Sequence, residues 1–234
     1  MASTPPSVRG EGVVAERKFV APADRAAIAE AILETTCFPD PDHPRGTVCS
    51  LYFDRPGVPA LDEKNAGDFL KLKVRLRWYR EDLGRPTVPA WIEVKRRIGG
   101  GRLKDRRRVS LPAALLARDP WDADELVGLV ARAAAEMTGG PGASLAPLIE
   151  LSYERARHLC PFTGARVSLD THIRAERFNP SLLAHLASPE LGVAILEVKT
   201  QEGAGEVPWL GRMARAGFRK ASFSKFGALL THLI

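Results

Sequence analysis

Residues 69–79, FLKLKVRLRWY, place Lys71, Lys73, Arg75 and Arg77 at every second position, with Leu70, Leu72, Val74, Leu76 and Trp78 between them. Successive side chains of a strand point to opposite faces, so this stretch predicts a β-strand with one apolar and one cationic face. Same-face neighbours stand about 7 Å apart. Like charges at that distance repel by roughly 0.6 kcal/mol in water and about 2.4 kcal/mol at an effective dielectric near 20. One such strand is therefore compatible with an ordinary solvated sheet face.

The pattern recurs. In RLKDRRRVS one face carries Lys104, Arg106 and Arg108, and in IEVKRR Glu93, Lys95 and Arg97 oppose Ile92 and Val94. Arg155 and Arg157 share a face with Tyr153, and Glu197 shares one with Lys199. In RVSLDTHIR, Arg166, Ser168, Asp170, His172 and Arg174 alternate with Val167, Leu169 and Ile173. So many charged-faced strands do not fit one flat exterior. The expected architecture is α+β: an antiparallel eight-stranded β-barrel, or tunnel, with a charged lumen. Its outward apolar faces would be covered by helices near residues 24–36, 113–137 and 224–234. Desolvated cations require carboxylates or bound anions. Glu16, Glu93, Glu150, Glu154, Asp170 and Glu197 are the candidate carboxylates, with strand parity placing Glu150 and Glu154 outside. Trp78 and Trp91 are assigned to outer packing.

Local signals supply the connections. ADRAAIAEAILETT reads as an amphipathic helix through Ile28, Ile32 and Leu33, and Pro39, Pro41 and Pro44 force a loop. LGRPTVP reads as a turn, Gly99, Gly100 and Gly101 as a hairpin turn, and Pro112 to about Met137 as a helix. The triplet lacks the GxxxxGK[ST] context of a P-loop. Residues 1–12 read as a disordered tail ahead of a single domain over 13–234, a length suited to one core.

The 34 Lys and Arg against 28 Asp and Glu give a formal net charge of +6, favouring an anionic partner. Cys37, Cys49 and Cys160 form no CxxC pair, so neither a zinc site nor a disulfide framework is indicated. With no apolar h-region at the N-terminus and no run long enough to span a bilayer, a cytoplasmic location is expected. Stacking aromatics are scarce on the cationic faces, which counts against a nucleic-acid partner. No segment marks a membrane-protein partner.

Taken in order, ERKF, SLYFD with KVRLRWY, WIEVKRR, KDRRRV, LSYERAR, RVSLDTHIRA, AILEVK and FSKF resemble the motifs of the triphosphate tunnel metalloenzymes. Within them the resemblance is to the VTC domain, a polyphosphate polymerase module, and it covers nearly the whole chain. It implies a tunnel that holds the triphosphate of ATP with Mn2+ or Mg2+. Arg75, Arg77, Lys95 and Arg155 would then act on the transferred phosphate. Lys18, Lys73, Arg166 and Lys225 would bind substrate, with hydrogen bonds from Tyr153 and Ser224. Either Lys104 or Arg106 would fill a further position. Glu197 would hold the metal, and Glu16 would be a second ligand or a partner of Lys95.

Two positions depart from the pattern. Val14 stands where the wider superfamily opens with a glutamate, a loss that VTC domains share and that argues against a plain tripolyphosphatase or cyclase. Ser222 stands where a lysine is common, so either Lys220 substitutes from the same strand face or that contact is missing. The implied activity is transfer of the γ-phosphoryl group of ATP to inorganic phosphate, pyrophosphate or a growing polyphosphate chain. A tripolyphosphate or nucleoside triphosphate hydrolase, and a non-catalytic polyphosphate or nucleotide sensor, remain alternatives. His172, although on a charged face, is read as structural, because phosphoryl transfer relies on positioning and charge neutralisation.

Overall fold

The computed structural model describes residues 14–54, 70–98, 101–139, 144–183, 190–201 and 205–233. The expected tail, the connection over 55–68, Gly99 and Gly100, and most of GGPGAS lie outside them. The strands are β1 (Val14–Pro22), β2 (Phe38–Pro39), β3 (Arg45–Asp54), β4 (Leu70–Tyr79), β5 (Thr87–Ile98), β6 (Gly101–Pro112), β7 (Ala146–Leu159), β8 (Arg166–Phe178), β9 (Glu190–Leu191), β10 (Val193–Gln201) and β11 (Arg219–Lys220). The α-helices are α1 (Ala26–Thr36), α2 (Ala113–Ala117), α3 (Asp124–Thr138), α4 (Leu210–Arg215) and α5 (Lys225–Leu233).

The hydrogen-bonded order is β11-β1-β10-β8-β7-β3-β4-β5-β6, with β2 on β7 and β9 on β8. Eleven strands among the described residues replace the expected eight. Three of them (β2, β9 and β11) are two-residue pairings that carry too little periodicity to read, and the longer ones are those the sequence marked. The path has two ends, β11 and β6, and no pairing among the described residues closes it into a barrel. The α+β class stands, with β3–β4, β4–β5 and β5–β6 all antiparallel. No helix among the described residues is long and apolar enough to cross a membrane.

The chain divides into two compact units, each discontinuous in sequence. The first comprises residues 1–44, 156–169 and 194–222. Its core packs Ala29 and Leu33 of α1 with Leu169, Val198, Met213 and Phe218. Ile28, expected on the buried stripe of α1, is 44% exposed, and Ala29 takes its place beside Ile32 and Leu33.

The second unit comprises residues 45–155, 170–193 and 223–234. Here Leu51, Leu76, Ile92 and Val94, the apolar positions of β3, β4 and β5, pack against Leu126 and Val130 of α3. Each fully buried Leu, Ile or Val of this kind contributes about 1.5–3 kcal/mol. α3 buries Leu126, Val130, Ala133 and Ala134 at helical spacing, starts with Asp124 and Glu125 at its positive end, and stops at Gly139 in the left-handed conformation (φ 65°). The single helix expected from Pro112 to Met137 is broken at Pro120, which opens a 3-10 turn between α2 and α3. The expected LGRPTVP turn is a 3-10 turn over Arg80–Gly84, and Thr87, Val88 and Pro89 already belong to β5.

Glu150 faces away from the cations, as parity predicts, yet is buried. Arg177 on β8 donates to it at 2.7 Å and also to the carbonyls of Leu116 and Arg118, tying the end of α2 to the sheet. His172 adopts a left-handed conformation (φ 49°) inside β8, and its Nδ1 lies 3.1 Å from Glu190 Oε1. The strand's alternation breaks at this residue. Asp170 meets Arg155, whereas Glu176, of the same parity, meets Ser152 of the opposite parity on β7.

Candidate functional site

On β4 and β5 the register sets Arg75 opposite Glu93 and Lys73 opposite Lys95, and on β5 and β6 it sets Lys95 opposite Lys104 and Glu93 opposite Arg106. The alternation seen in the sequence thus becomes one continuous cationic face, and both candidates for the uncertain register, Lys104 and Arg106, belong to it. Glu93 is its hub. With a side chain only 2% exposed, it pairs with Arg75, lies 3.8 Å from Arg77 Nη1, 3.6 Å from Lys104 Nζ and 3.7 Å from Arg106 Nε. One carboxylate is thereby shared by four cations.

Two hydroxyls of β3 and one of β7 complete the wall. Arg75 donates to the Tyr52 hydroxyl at 2.9 Å, and Arg77 donates to Ser50 Oγ at 3.3 Å and to the Tyr153 hydroxyl at 3.1 Å. Burial alone would raise the Glu93 carboxyl, but Arg75, Arg77 and Lys104 outweigh it and hold the group at about 2. Burial likewise pushes the Tyr52 phenol up, while Arg75, Arg77 and Lys95 bring it down to about 8. Lys95 is exposed on its strand yet crowded by protein. Desolvation first, and then the neighbouring Arg75 and Lys104 charges, depress its ammonium to about 8. Burial is the larger cause and the neighbouring cations add to it.

Tyr153 links this wall to a second group. It is 2% exposed, and the Lys225 ammonium and Arg155 guanidinium lie 4.6 Å and 5.2 Å from its ring centroid. Arg155 makes a bidentate pair with the fully buried Asp170, both bonds at 2.6 Å, and Lys225 reaches the same carboxylate at 2.5 Å. Tyr153 is thus packed among three cations and accepts a hydrogen bond from one of them, Arg77. Phe226, next along α5, stacks on Tyr52 with centroids 4.4 Å apart, and Lys73 Nζ lies 5.5 Å from its ring. The expectation that the C-terminal helix covers an apolar outer face is therefore corrected: α5 docks on residues of the charged face. Ser224 caps that helix, its Oγ accepting the Gly227 N–H at 3.2 Å.

The other expected residues belong to the first unit. Lys18 Nζ stands 3.4 Å from both Glu16 Oε1 and Glu197 Oε1, and Lys199 Nζ lies 3.9 Å from Glu16 Oε2. Glu16 thus pairs with Lys18 and Lys199. Glu197 is buried, while Glu16 is 42% exposed at its side chain. Arg166, first residue of β8, is exposed, as is Lys220 on β11, opposite Phe19 of β1. Among the described residues no group of three or more His, Cys, Asp or Glu side chains could hold a metal ion. Two hard carboxylates converging on one ammonium nevertheless suit Mg2+ or Mn2+, which retain water and use substrate phosphates as further ligands.

Glu93 and Asp170, named in advance only as compensating carboxylates, are the centres on which the cations converge. Tyr52, Ser50 and Phe226 were not anticipated, although Ser50 and Tyr52 show the same period-two spacing as the cations they meet. Trp91, expected in outer packing, shares the charged face with Glu93, and the Arg106 guanidinium lies 4.7 Å from its ring centroid. Its parity had been legible, two residues before Glu93, but its apolar character suggested the other face.

The model of the VTC domain family matches residues 14–234. The chain belongs to the VTC domain family. No curated protein matches this VTC domain. Among solved structures it is similar to a Bacillus halodurans protein described as a "putative adenylate cyclase", with TM-score 0.51 and 11% identity over 89% of this chain and 92% of that one. A Vibrio parahaemolyticus protein of the same description follows at TM-score 0.46 and 10% identity, covering 95% and 99%. A conserved hypothetical protein from Pyrococcus furiosus gives 0.42 and 10%, covering 87% and 90%. The first of these likenesses bears on fold, and agrees with the mostly antiparallel sheet of this VTC domain.

Proposed function

We propose that this VTC domain is an ATP-dependent polyphosphate polymerase, transferring the γ-phosphoryl group of ATP to phosphate, pyrophosphate or a growing polyphosphate chain. Family membership supports the coarser statement, a triphosphate tunnel-type protein that binds nucleotide or polyphosphate. The observation that carries the reading is the wall around Glu93. Arg75, Arg77, Lys95, Lys104 and Arg106 gather at one carboxylate, an arrangement that leaves a net positive surface matched to a chain of tetrahedral oxyanions.

In this reading Arg75 stays fixed by Glu93 and Tyr52 and presents its remaining donor surface, while Arg77, held by Ser50 and Tyr153, and the more exposed Lys104 meet phosphate oxygens. An anion that offsets Arg75 and Lys104 favours the charged form of Lys95. Arg155 and Lys225, anchored on Asp170, contact other phosphates of the chain, with Lys73, Tyr153 and Ser224 assisting. A divalent ion, where bound, would be held by Glu197 and Glu16 and would supply charge neutralisation for phosphate oxygens. Phosphoryl transfer needs little else than such positioning and neutralisation.

Phosphorus NMR of the purified protein with ATP, Mn2+ and a trace of pyrophosphate tests the activity. Growth of internal-chain resonances together with ADP is the expected result. Inorganic phosphate as the sole product would make the protein a hydrolase, and intact ATP with shifted lines would make it a binding protein.

A further inference from the structure

The face that carries Arg75, Arg77 and Lys95 changes character along its length. Tyr79 follows Arg77 at strand spacing on β4, and on β5 the residues before Glu93 on the same face are Trp91, Pro89 and Thr87. The register sets Arg77 opposite Trp91, and Trp91 opposite Arg108. The Tyr79 and Trp91 rings meet edge to face, centroids 5.9 Å apart and planes at 83°. Both are only half-buried. Beyond them Arg85, Thr87, Pro89, Arg108 and Ser110 line a cavity of about 690 Å3, within the usual range for small-molecule sites.

We propose that this aromatic end of the face is a nucleoside subsite. The base stacks on Trp91, braced by Tyr79, and the ribose enters the cavity at Thr87, Arg108 and Ser110, while the phosphates run back along the cationic half. Lys95 and Trp91 are four residues apart on β5, about 13 Å of strand, a span suited to a nucleoside triphosphate laid along it. Arg106, which now covers Trp91 and lies 3.7 Å from Glu93, connects the two halves and can turn from the ring to a phosphate. A bare polyphosphate has no ring to offer Trp91. The subsite therefore distinguishes a nucleotide donor from an inorganic chain, and because stacking tolerates any base it favours purines only through their larger faces. The inference rests on the cationic wall being a phosphate site.

Calorimetric titrations of ATP and of inorganic tripolyphosphate into wild-type protein, Trp91→Ala and Trp91→Phe test it. Trp91→Ala is expected to weaken ATP about tenfold or more while leaving tripolyphosphate within about twofold, and Trp91→Phe to restore most of the ATP affinity. Equal weakening of both ligands by Trp91→Ala, or unchanged ATP binding, overturns the subsite and leaves the phosphate wall standing. Failure of wild-type protein to bind tripolyphosphate overturns the wall itself and the subsite with it.

Discussion

Arg75 Nε donates to Glu93 Oε2 at 2.5 Å from the directly opposed position on the next strand. The pair is buried, and Arg77, Lys104 and Arg106 lean on the same carboxylate. Glu93→Gln would leave these charges without their counterion. Breaking a buried ion pair costs roughly 3–5 kcal/mol, so the variant should melt well below wild type. Tripolyphosphate should then raise its melting temperature by more than it raises that of wild type, because the ligand replaces the lost negative charge. A variant that melts like wild type would mean that Glu93 does not organise the wall.

Tyr52 and Lys95 both titrate near 8, below their ordinary values of 10.0 and 10.5. In each case the folded state loses its proton before the unfolded state does. Folding stability should therefore rise from about pH 8 towards pH 10, the window between folded and unfolded values. Phosphate binding should move the other way, since the wall loses positive charge across that window while phosphate groups, with second pKa near 6, are already ionised. Melting curves and tripolyphosphate titrations from pH 7 to about pH 10 should show these opposite trends. Parallel trends would exclude Lys95 from the binding surface.

Arg177 provides a contrast, a half-buried arginine whose partners include Glu150, Asp119 and two carbonyls at the end of α2. Arg177→Ala should destabilise the protein by roughly 3 kcal/mol, since it strands a buried carboxylate. Its tripolyphosphate affinity, measured where the variant remains folded, should stay at the wild-type value. A large loss of affinity would show that charge anywhere on the unit, not the Glu93 wall, attracts the ligand.

Glu197 separates metal from phosphate. Glu197→Gln should raise the Mn2+ concentration needed for half-maximal turnover by tenfold or more, with tripolyphosphate binding in metal-free buffer retained. Turnover with an unchanged metal requirement would assign Glu197 to its ion pair with Lys18 alone.

The strands were legible because their signal is local: two-residue periodicity in FLKLKVRLRWY identifies both the element and the face of every cation it carries. What each face meets was less legible. α5 buries Phe226, Leu229 and Leu230, which shows that the helix docks but does not say on which surface, and Phe226 chose the Tyr52 ring on the charged side. The left-handed His172 and the paired two-residue strands depend on contacts remote in sequence. Trp91 illustrates the opposite failing, where parity was available and hydrophobicity misled. Among the site residues, the cations were found individually, whereas the sharing of Glu93 and Asp170 emerged only from register and side-chain reach.

The most direct test of the central claim, that the wall of β4, β5 and β6 binds a phosphate chain, is a calorimetric titration of inorganic tripolyphosphate into wild-type protein and Arg77→Ala. Arg77 is the suitable probe because it stands 3.8 Å from Glu93, farther than Arg75, so the Arg75–Glu93 pair remains when it is removed. The account predicts binding by wild type and a loss of about tenfold or more in the variant, in keeping with the roughly 1.5–3 kcal/mol of a charged hydrogen bond. Equal affinities, or no binding by wild type, would contradict it.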